Sequence, residues 1–163
     1  MADQICMFFD NEFFIFFVTL FVLCCVLAII DIRHGIIPNW LNFAVAVLGV
    51  LKSATSDGLL VSAQAVCEGI VIGGLFWLLQ RFYLSLRKIR GLGLGDVKFI
   101  AAAGIWIGVI GIPILLLIAS LTALLFAGLM KLAGRTMTGQ TAIPFGPFLA
   151  IGLLFALAFK QYG

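Results

Sequence analysis

The longest uncharged stretch of this sequence, Phe99–Met130, is the feature that most restricts how the chain can fold. It runs for 32 residues without an acidic or basic side chain. One membrane-spanning helix needs only about 20 apolar residues, so the stretch is too long for a single span. Gly111 and Pro113 interrupt its middle, and we therefore predict two spans joined by a tight outer turn.

The rest of the chain is also apolar. Hydrophobic residues occupy 64% of the 163 positions and charged residues 10%, whereas soluble proteins carry about 25% charged residues. This composition excludes a soluble fold, and with it extracellular disulfide scaffolds, disordered regulators and nucleic-acid-binding proteins. We predict an all-α, polytopic membrane protein that forms a single domain over residues 1–163.

Apolar runs predict about six transmembrane helices. Besides the two within Phe99–Met130, the spans are Phe13–Ile30, Ile36–Leu51, Leu59–Leu79 and Ala142–Phe159. If the N-terminus is outside, the inner loops contain eight of the ten basic residues, as the positive-inside rule requires. These eight are Arg33, Arg81, Arg87, Lys88, Arg90, Lys98, Lys131 and Arg135. We therefore expect both termini outside, in the inner membrane of a bacterium.

The N-terminal segment does not read as a cleavable signal peptide, because it carries Asp3, Asp10 and Glu12 in place of basic residues. We expect the first apolar run to remain as a membrane anchor. The four cysteines form no C-x-x-C pair, and His34 is the only histidine. Zinc sites and Ser–His–Asp or Cys–His mechanisms need such residues in groups, so we expect no metal and no cofactor.

Three acidic residues in or beside the predicted spans are candidate functional groups, because ionisable side chains are costly inside a membrane. Asp31 ends the first span, where a carboxylate opposes the helix dipole; the alternative is a structural pairing with Arg33 or a loop amide. Asp96 begins the fourth span after a glycine-rich stretch, and its alternative role is a helix N-cap. Glu68 in the third span belongs either to a proton or substrate path or to a structural bond with another helix.

The predicted topology places Asp31 and Asp96 at the same inner side of the membrane, where the first and fourth spans can bring them together. Two carboxyl groups a few Å apart share a proton, because both cannot easily ionise. One then acts as a base toward water while the other donates a hydrogen bond to a carbonyl. This chemistry is that of aspartyl proteases, which use neither a metal nor a covalent intermediate.

Three motif blocks occur in order along the chain. Asp31 stands seven residues ahead of Pro38-Asn39; the second block is Gly93-Leu94-Gly95-Asp96-Val97-Lys98, and the third is Ile143-Pro144-Phe145-Gly146-Pro147-Phe148. Together they resemble the type IV prepilin peptidases, a family of membrane aspartyl proteases. The resemblance implies that Asp31 and Asp96 are the catalytic pair at the cytoplasmic face. The supporting motif residues are Pro38, Asn39, Gly93, Gly95, Lys98, Pro144, Gly146 and Pro147.

The same resemblance implies a substrate, the N-terminal leader of a prepilin, cut before its hydrophobic segment and commonly after a glycine. Lys98 either orients an acidic residue of that substrate or extends toward the lipid headgroups. Longer members also methylate the new N-terminus and carry a domain with paired C-x-x-C motifs. This sequence resembles the short form that serves tight-adherence (Flp-type) pili, or the archaeal preflagellin peptidases, and we expect no methyl transfer.

Two further functions stay open. A small transporter or proton channel would use Asp31, Glu68 and Asp96 as a relay, and a non-catalytic secretion-system subunit would use Asp96 only as a cap. A presenilin-like protease is disfavoured, because its Tyr-Asp pair and Pro-Ala-Leu motif are missing. The expected partners are prepilin leader peptides and the lipid bilayer, without nucleic acid; the oligomeric state is left open.

Overall fold

The computed structural model describes residues 11–87, 93–133 and 144–162, and the described residues are all-helical apart from short connections. Within these ranges five helices follow one another: α1 (Asn11–His34), α2 (Asn39–Ser56), α3 (Leu59–Arg87), α4 (Leu94–Leu132) and α5 (Gly146–Tyr162). The all-α prediction is therefore confirmed. The predicted basic loop residues Lys88, Arg90 and Arg135 lie outside the described residues.

Helix boundaries differ from the predicted spans where the chain contains proline. The second span was predicted to start at Ile36, with Pro38 in its first turn. Instead α2 starts at Asn39, and Pro38 is its N-cap with extended backbone (φ −64°, ψ 140°). A proline pushes the residue before it out of the helical region, so Ile37 cannot continue a helix into Pro38. The Pro38 carbonyl accepts the first hydrogen bonds of α2, from the N–H groups of Leu41 and Asn42.

The α4 helix contains one residue with non-helical backbone, Gly108, at φ 72° and ψ 178°. That region is essentially restricted to glycine, and it divides α4 into segments 94–107 and 109–132. The predicted interruption of Phe99–Met130 is thus confirmed, but its predicted position at Gly111 and Pro113 is wrong. Proline's fixed φ near −65° is itself helical, so Pro113 is accommodated within the second segment.

The second segment of α4 runs back alongside α5. Phe126 packs against Phe148 near the start of α5, with ring centroids 5.6 Å apart, and Leu115 lies against Gly152 in its middle. At the other end of α5, Lys160 Nζ donates to the Trp106 carbonyl, just before the break. These contacts run from the end of α5 back to its start, so the second segment lies antiparallel to α5. The first segment begins near Asp31, which contacts the start of α5, so the chain reverses direction at Gly108.

Both sides of the break are stabilised by charged side chains from other helices. Glu68 Oε2 in α3 accepts the N–H of Val109 at 3.1 Å, the first N–H of the second segment. Lys160 Nζ donates to the Trp106 carbonyl at 3.1 Å, at the end of the first segment. An acidic group therefore lies at a helix N-terminus and a basic group at a helix C-terminus, as the helix dipole favours.

The core lies around the first segment of α4, which packs against α2 and α3. Fully buried Phe99 and Ile100 belong to this segment, and the Trp106 indole N–H donates to the Val45 carbonyl of α2 at 3.0 Å. Small residues let α3 approach closely: a Cβ on Gly69 would lie 2.7 Å from Ile105 Cγ1. Gly69 and Gly73, four residues apart on one face of α3, thus serve helix packing.

By length and composition, three helical stretches can cross a membrane: Phe14–His34, Leu59–Leu86 and Leu94–Leu132. Gly146–Lys160 is apolar but shorter. The bundle also exposes many large apolar side chains, such as Phe43 and Ile110. An exposed apolar surface of this kind fits a lipid environment, because in water it would drive association.

Candidate active site

Asp31 lies in the last turn of α1, and its side chain is 5% exposed. Its Oδ2 accepts the backbone N–H of Gly146, the first residue of α5, at 2.8 Å. The predicted alternatives for Asp31 were a pairing with Arg33 or with a backbone amide. Arg33 forms no ion pair within the described ranges, and the partner is the amide at the start of α5, in the third motif block.

The contact between Asp31 and Gly146 depends on glycine. A Cβ on Gly146 would lie 2.7 Å from Asp31 Oδ2 and 3.0 Å from its carboxyl carbon, closer than real Cβ atoms approach. Pro144 precedes α5 by two residues, and Pro147 lies in its first turn, where the missing N–H has no intrahelical partner to lose. The late block therefore starts a helix whose first N–H points at a buried carboxylate.

Asp96 is the third residue of α4, and its Oδ2 accepts the N–H of Gly93 at 3.2 Å. The expected alternative, Asp96 as an N-cap, is wrong in position: Gly93 is the N-cap. Asp96 occupies the N3 position, from which an acidic side chain reaches back to the N-cap N–H. Its carboxyl group is half-buried, so it remains accessible from outside while it accepts the N–H of Gly93.

The two carboxyl groups lie at the same end of the bundle and are close enough for their charges to interact. Asp31 arrives from the end of α1 and Asp96 from the start of α4, as the topology predicted. Each carboxyl group accepts one backbone N–H through a single oxygen. Among the described residues, the other oxygen of each group has no such backbone partner, which leaves it available for a shared proton, a water molecule or a substrate carbonyl.

Residues at the end of the first block and in the first turn of α2 after it position the start of α4. Asn42 Nδ2 donates to the Gly95 carbonyl at 3.2 Å, next to Asp96 in the chain. A Cβ on Gly95 would lie 3.0 Å from Ile37 Cβ, so a small residue lets the two segments approach. Lys98 Nζ donates to Asn39 Oδ1 at 2.8 Å. Two motifs 59 residues apart are thereby joined beside Asp96.

Asn42 is the residue that the sequence reasoning missed. In the sequence Asn42 is a single polar residue within the apolar run Ile36–Leu51, whereas the structure buries it to 5% exposure against the Gly95 carbonyl. The available signal was its spacing of three from Asn39, which puts both amides on one face of α2.

Glu68 lies away from this carboxyl pair. Its two oxygens accept the Val109 N–H and the Gln64 side-chain amide, the latter at 3.0 Å. It therefore contacts the break at Gly108, one helical segment away from Asp96. Of the two interpretations of Glu68, the structure supports a structural bond to another helix.

No three His, Cys, Asp or Glu side chains converge as a metal-binding group in the part of the chain that the structure describes. Fold and site together define a helical membrane-protein bundle with two acidic side chains near each other at one end. Residues 18–128 match the type IV leader peptidase family, and the chain belongs to that family.

Individual relatives give the same assignment. A prepilin leader peptidase/N-methyltransferase of Legionella pneumophila is 36% identical over 134 residues, covering 80% of this chain and 45% of the relative. One from Escherichia coli strain K12 is 34% identical over 136 residues, covering 83% and 59%. The chain thus spans about half the length of the curated relatives it matches. No solved structure gives a significant match.

Proposed function

We propose that this protein is an aspartyl endopeptidase that removes the N-terminal leader of type IV prepilins of the Flp type at the cytoplasmic face of the inner membrane. The observation that carries the proposal is the proximity of Asp31 and Asp96, each of which accepts one backbone N–H from a motif glycine. The names of the relatives support leader peptides as the substrate class.

In the proposed reaction the two carboxyl groups share one proton. The ionised group takes a proton from a water molecule as the water oxygen attacks the scissile carbonyl carbon, and the protonated group hydrogen-bonds the carbonyl oxygen. The tetrahedral intermediate then collapses, the C–N bond breaks, and a proton passes to the leaving amine. The products are a leader with a free carboxylate and a mature chain with a free amino group.

The proposed arrangement in the membrane is six spans with both termini outside. Reversal of the chain at Gly108 supports counting α4 as two spans, and the basic residues then fall mainly on the inner side. A reporter fused after Asp57 is expected outside and one fused after Arg87 inside. The opposite pattern would overturn this topology without touching the chemistry of the carboxyl pair.

The test of the activity is co-expression with a tagged Flp-type prepilin, read as a gel shift. We expect a shorter product with the wild type and none with Asp31→Asn or Asp96→Asn, at equal membrane levels. Asp57→Asn is the matched control, because Asp57 forms an exposed ion pair with Lys52 far from the site. Strong processing by either site variant would remove that residue from the pair.

If no prepilin is cleaved by well-folded wild-type protein, the endopeptidase assignment fails. A relay through Glu68 is disfavoured, because its Oε2 accepts the Val109 N–H at the helix break and its Oε1 accepts the Gln64 amide. A non-catalytic role for Asp96 as a helix-start residue would instead be indicated if Asp96→Asn processed the prepilin normally.

A further inference from the structure

A groove of about 560 Å³ opens on the side of the bundle between α2, α3 and the first segment of α4. Its walls are mainly apolar, and they include Phe43 and Ile70, which are 71% and 68% exposed. Small residues, among them Gly74 and Ala101, form part of its lining. Such a surface accepts a rod-like apolar partner whose backbone can approach closely.

One end of this groove is polar, and it is the end beside the carboxyl pair. Asn39, Asn42 and Lys98 line it, and Asn42 contacts the carbonyl of Gly95, the residue before Asp96. The groove therefore begins next to the site at which a peptide bond would be cut and continues along the bundle from there.

Asn42 carries a buried acceptor that has no donor. Its Oδ1 is one of the buried side-chain atoms without a hydrogen-bond partner in the described structure, although the side chain is only 5% exposed. A buried acceptor without a donor is destabilising, and Oδ1 is enclosed in this structure, so an occupant that supplies a donor when the Asn42 side chain turns into the groove is favoured. The first turn of an α-helix presents backbone N–H groups with no intrahelical partner, whereas a lipid acyl chain has no donor.

Lys98 adds a charge requirement. Within the described ranges it hydrogen-bonds the neutral Asn39 side chain and forms no ion pair. An acidic side chain near the start of the occupant would complement this ammonium group, and acidic residues also favour the first turn of a helix.

Resting on the proposed endopeptidase function, we propose that this groove binds the apolar helix that follows the cleavage point of the substrate. The helix starts at Asn42, whose side chain turns to accept one of its first-turn N–H groups, and an acidic residue of the same turns meets Lys98. Asn42 and Lys98 thus determine which peptide bond is presented to Asp31 and Asp96.

Two glycines allow a matched test. Gly74 lines this groove, and Gly128 lines a second, purely apolar groove on the other segment of α4. A Cβ at either position meets no atom of the described residues within 4 Å, so both positions have room for a larger side chain. With a tagged Flp-type prepilin, Gly74→Phe is expected to lower processing by about tenfold or more, whereas Gly128→Phe leaves it unchanged.

Direct contact is measured by photocrosslinking in the inactive Asp96→Asn background. A photoreactive residue at Ile70 is expected to capture the apolar segment of the prepilin, and one at Leu124, in the second groove, is not. A charge exchange tests Lys98: Lys98→Glu impairs cleavage of the normal prepilin, and a prepilin with lysine in place of its first-turn acidic residue restores it.

The outcomes separate the two proposals. If wild-type protein cleaves no prepilin, the endopeptidase function fails. If the wild type cleaves and Gly74→Phe cleaves equally well at equal membrane level, the groove proposal alone is overturned. Crosslinks from Ile70 to lipid only, with none to the prepilin, overturn it as well.

Discussion

Gly146 donates its backbone N–H to Asp31 Oδ2 at 2.8 Å and so joins residues 115 positions apart. The contact places the N-terminus of α5, with its partial positive charge, against a buried carboxyl group. It also explains the late motif block physically: the glycine permits the approach, and the proline after it starts the helix. A block without any acidic or basic residue thereby becomes part of the acidic site.

We expect Gly146→Ala to abolish most processing while the protein still accumulates in the membrane. The added methyl group would lie 2.7 Å from Asp31 Oδ2, and it must displace the carboxyl group or the start of α5. A displacement of about 1 Å is enough to cost roughly 10²-fold in rate. The measurement is the gel-shift assay with a tagged Flp-type prepilin.

Gly128→Ala is the control for that substitution, since a Cβ there contacts nothing within 4 Å. It should process at the wild-type rate. Normal processing by Gly146→Ala would show that the Asp31 carboxyl group does not need the position observed for it.

Much of this arrangement was accessible from the sequence, because hydropathy and charge position fix the order of the apolar helices. Hydropathy and charge position alone predict that Asp31 and Asp96 lie at the same end of the bundle. The partners of these groups were not accessible. Asn42 hydrogen-bonds a carbonyl 53 residues away, and Gly146 hydrogen-bonds Asp31 across most of the chain. Such long-range contacts depend on tertiary packing.

The break in α4 shows a different limit. Both glycine and proline interrupt helices, so the sequence pointed to Gly111 and Pro113. In the structure the break lies at Gly108, whose backbone has a positive φ that proline cannot adopt. Glu68 and Lys160 reinforce that choice from neighbouring helices, and a single sequence does not reveal this support.

Gly108→Ala should destabilise the protein by about 1–3 kcal/mol, the typical cost of holding a side chain in such a backbone region. The new Cβ would also lie 2.8 Å from Glu68 Oε2. Thermal unfolding in detergent is the measurement. Gly74→Ala, in a regular helix with open space, should be neutral or slightly stabilising; equal Tm values for the two variants would contradict the strained backbone.

Glu68→Gln should retain most processing, because an amide oxygen can still accept the Val109 N–H. Glu68→Leu removes the acceptor and leaves that N–H unpaired, at a cost of about 1–3 kcal/mol in stability. Unfolding curves and processing rates of both variants are compared with the wild type. Complete loss of cleavage in a stable Glu68→Gln protein would place Glu68 in the mechanism.

Lys160→Met should destabilise the same break, because the Trp106 carbonyl loses its donor at 3.1 Å. Since Glu68 and Lys160 hold opposite sides of one non-helical residue, their effects should not add. In a double-mutant cycle of Glu68→Leu and Lys160→Met, the coupling should fall within about 0.5–3 kcal/mol, as for residues in one network. Strictly additive losses in unfolding free energy would mean that the two helix segments are anchored independently.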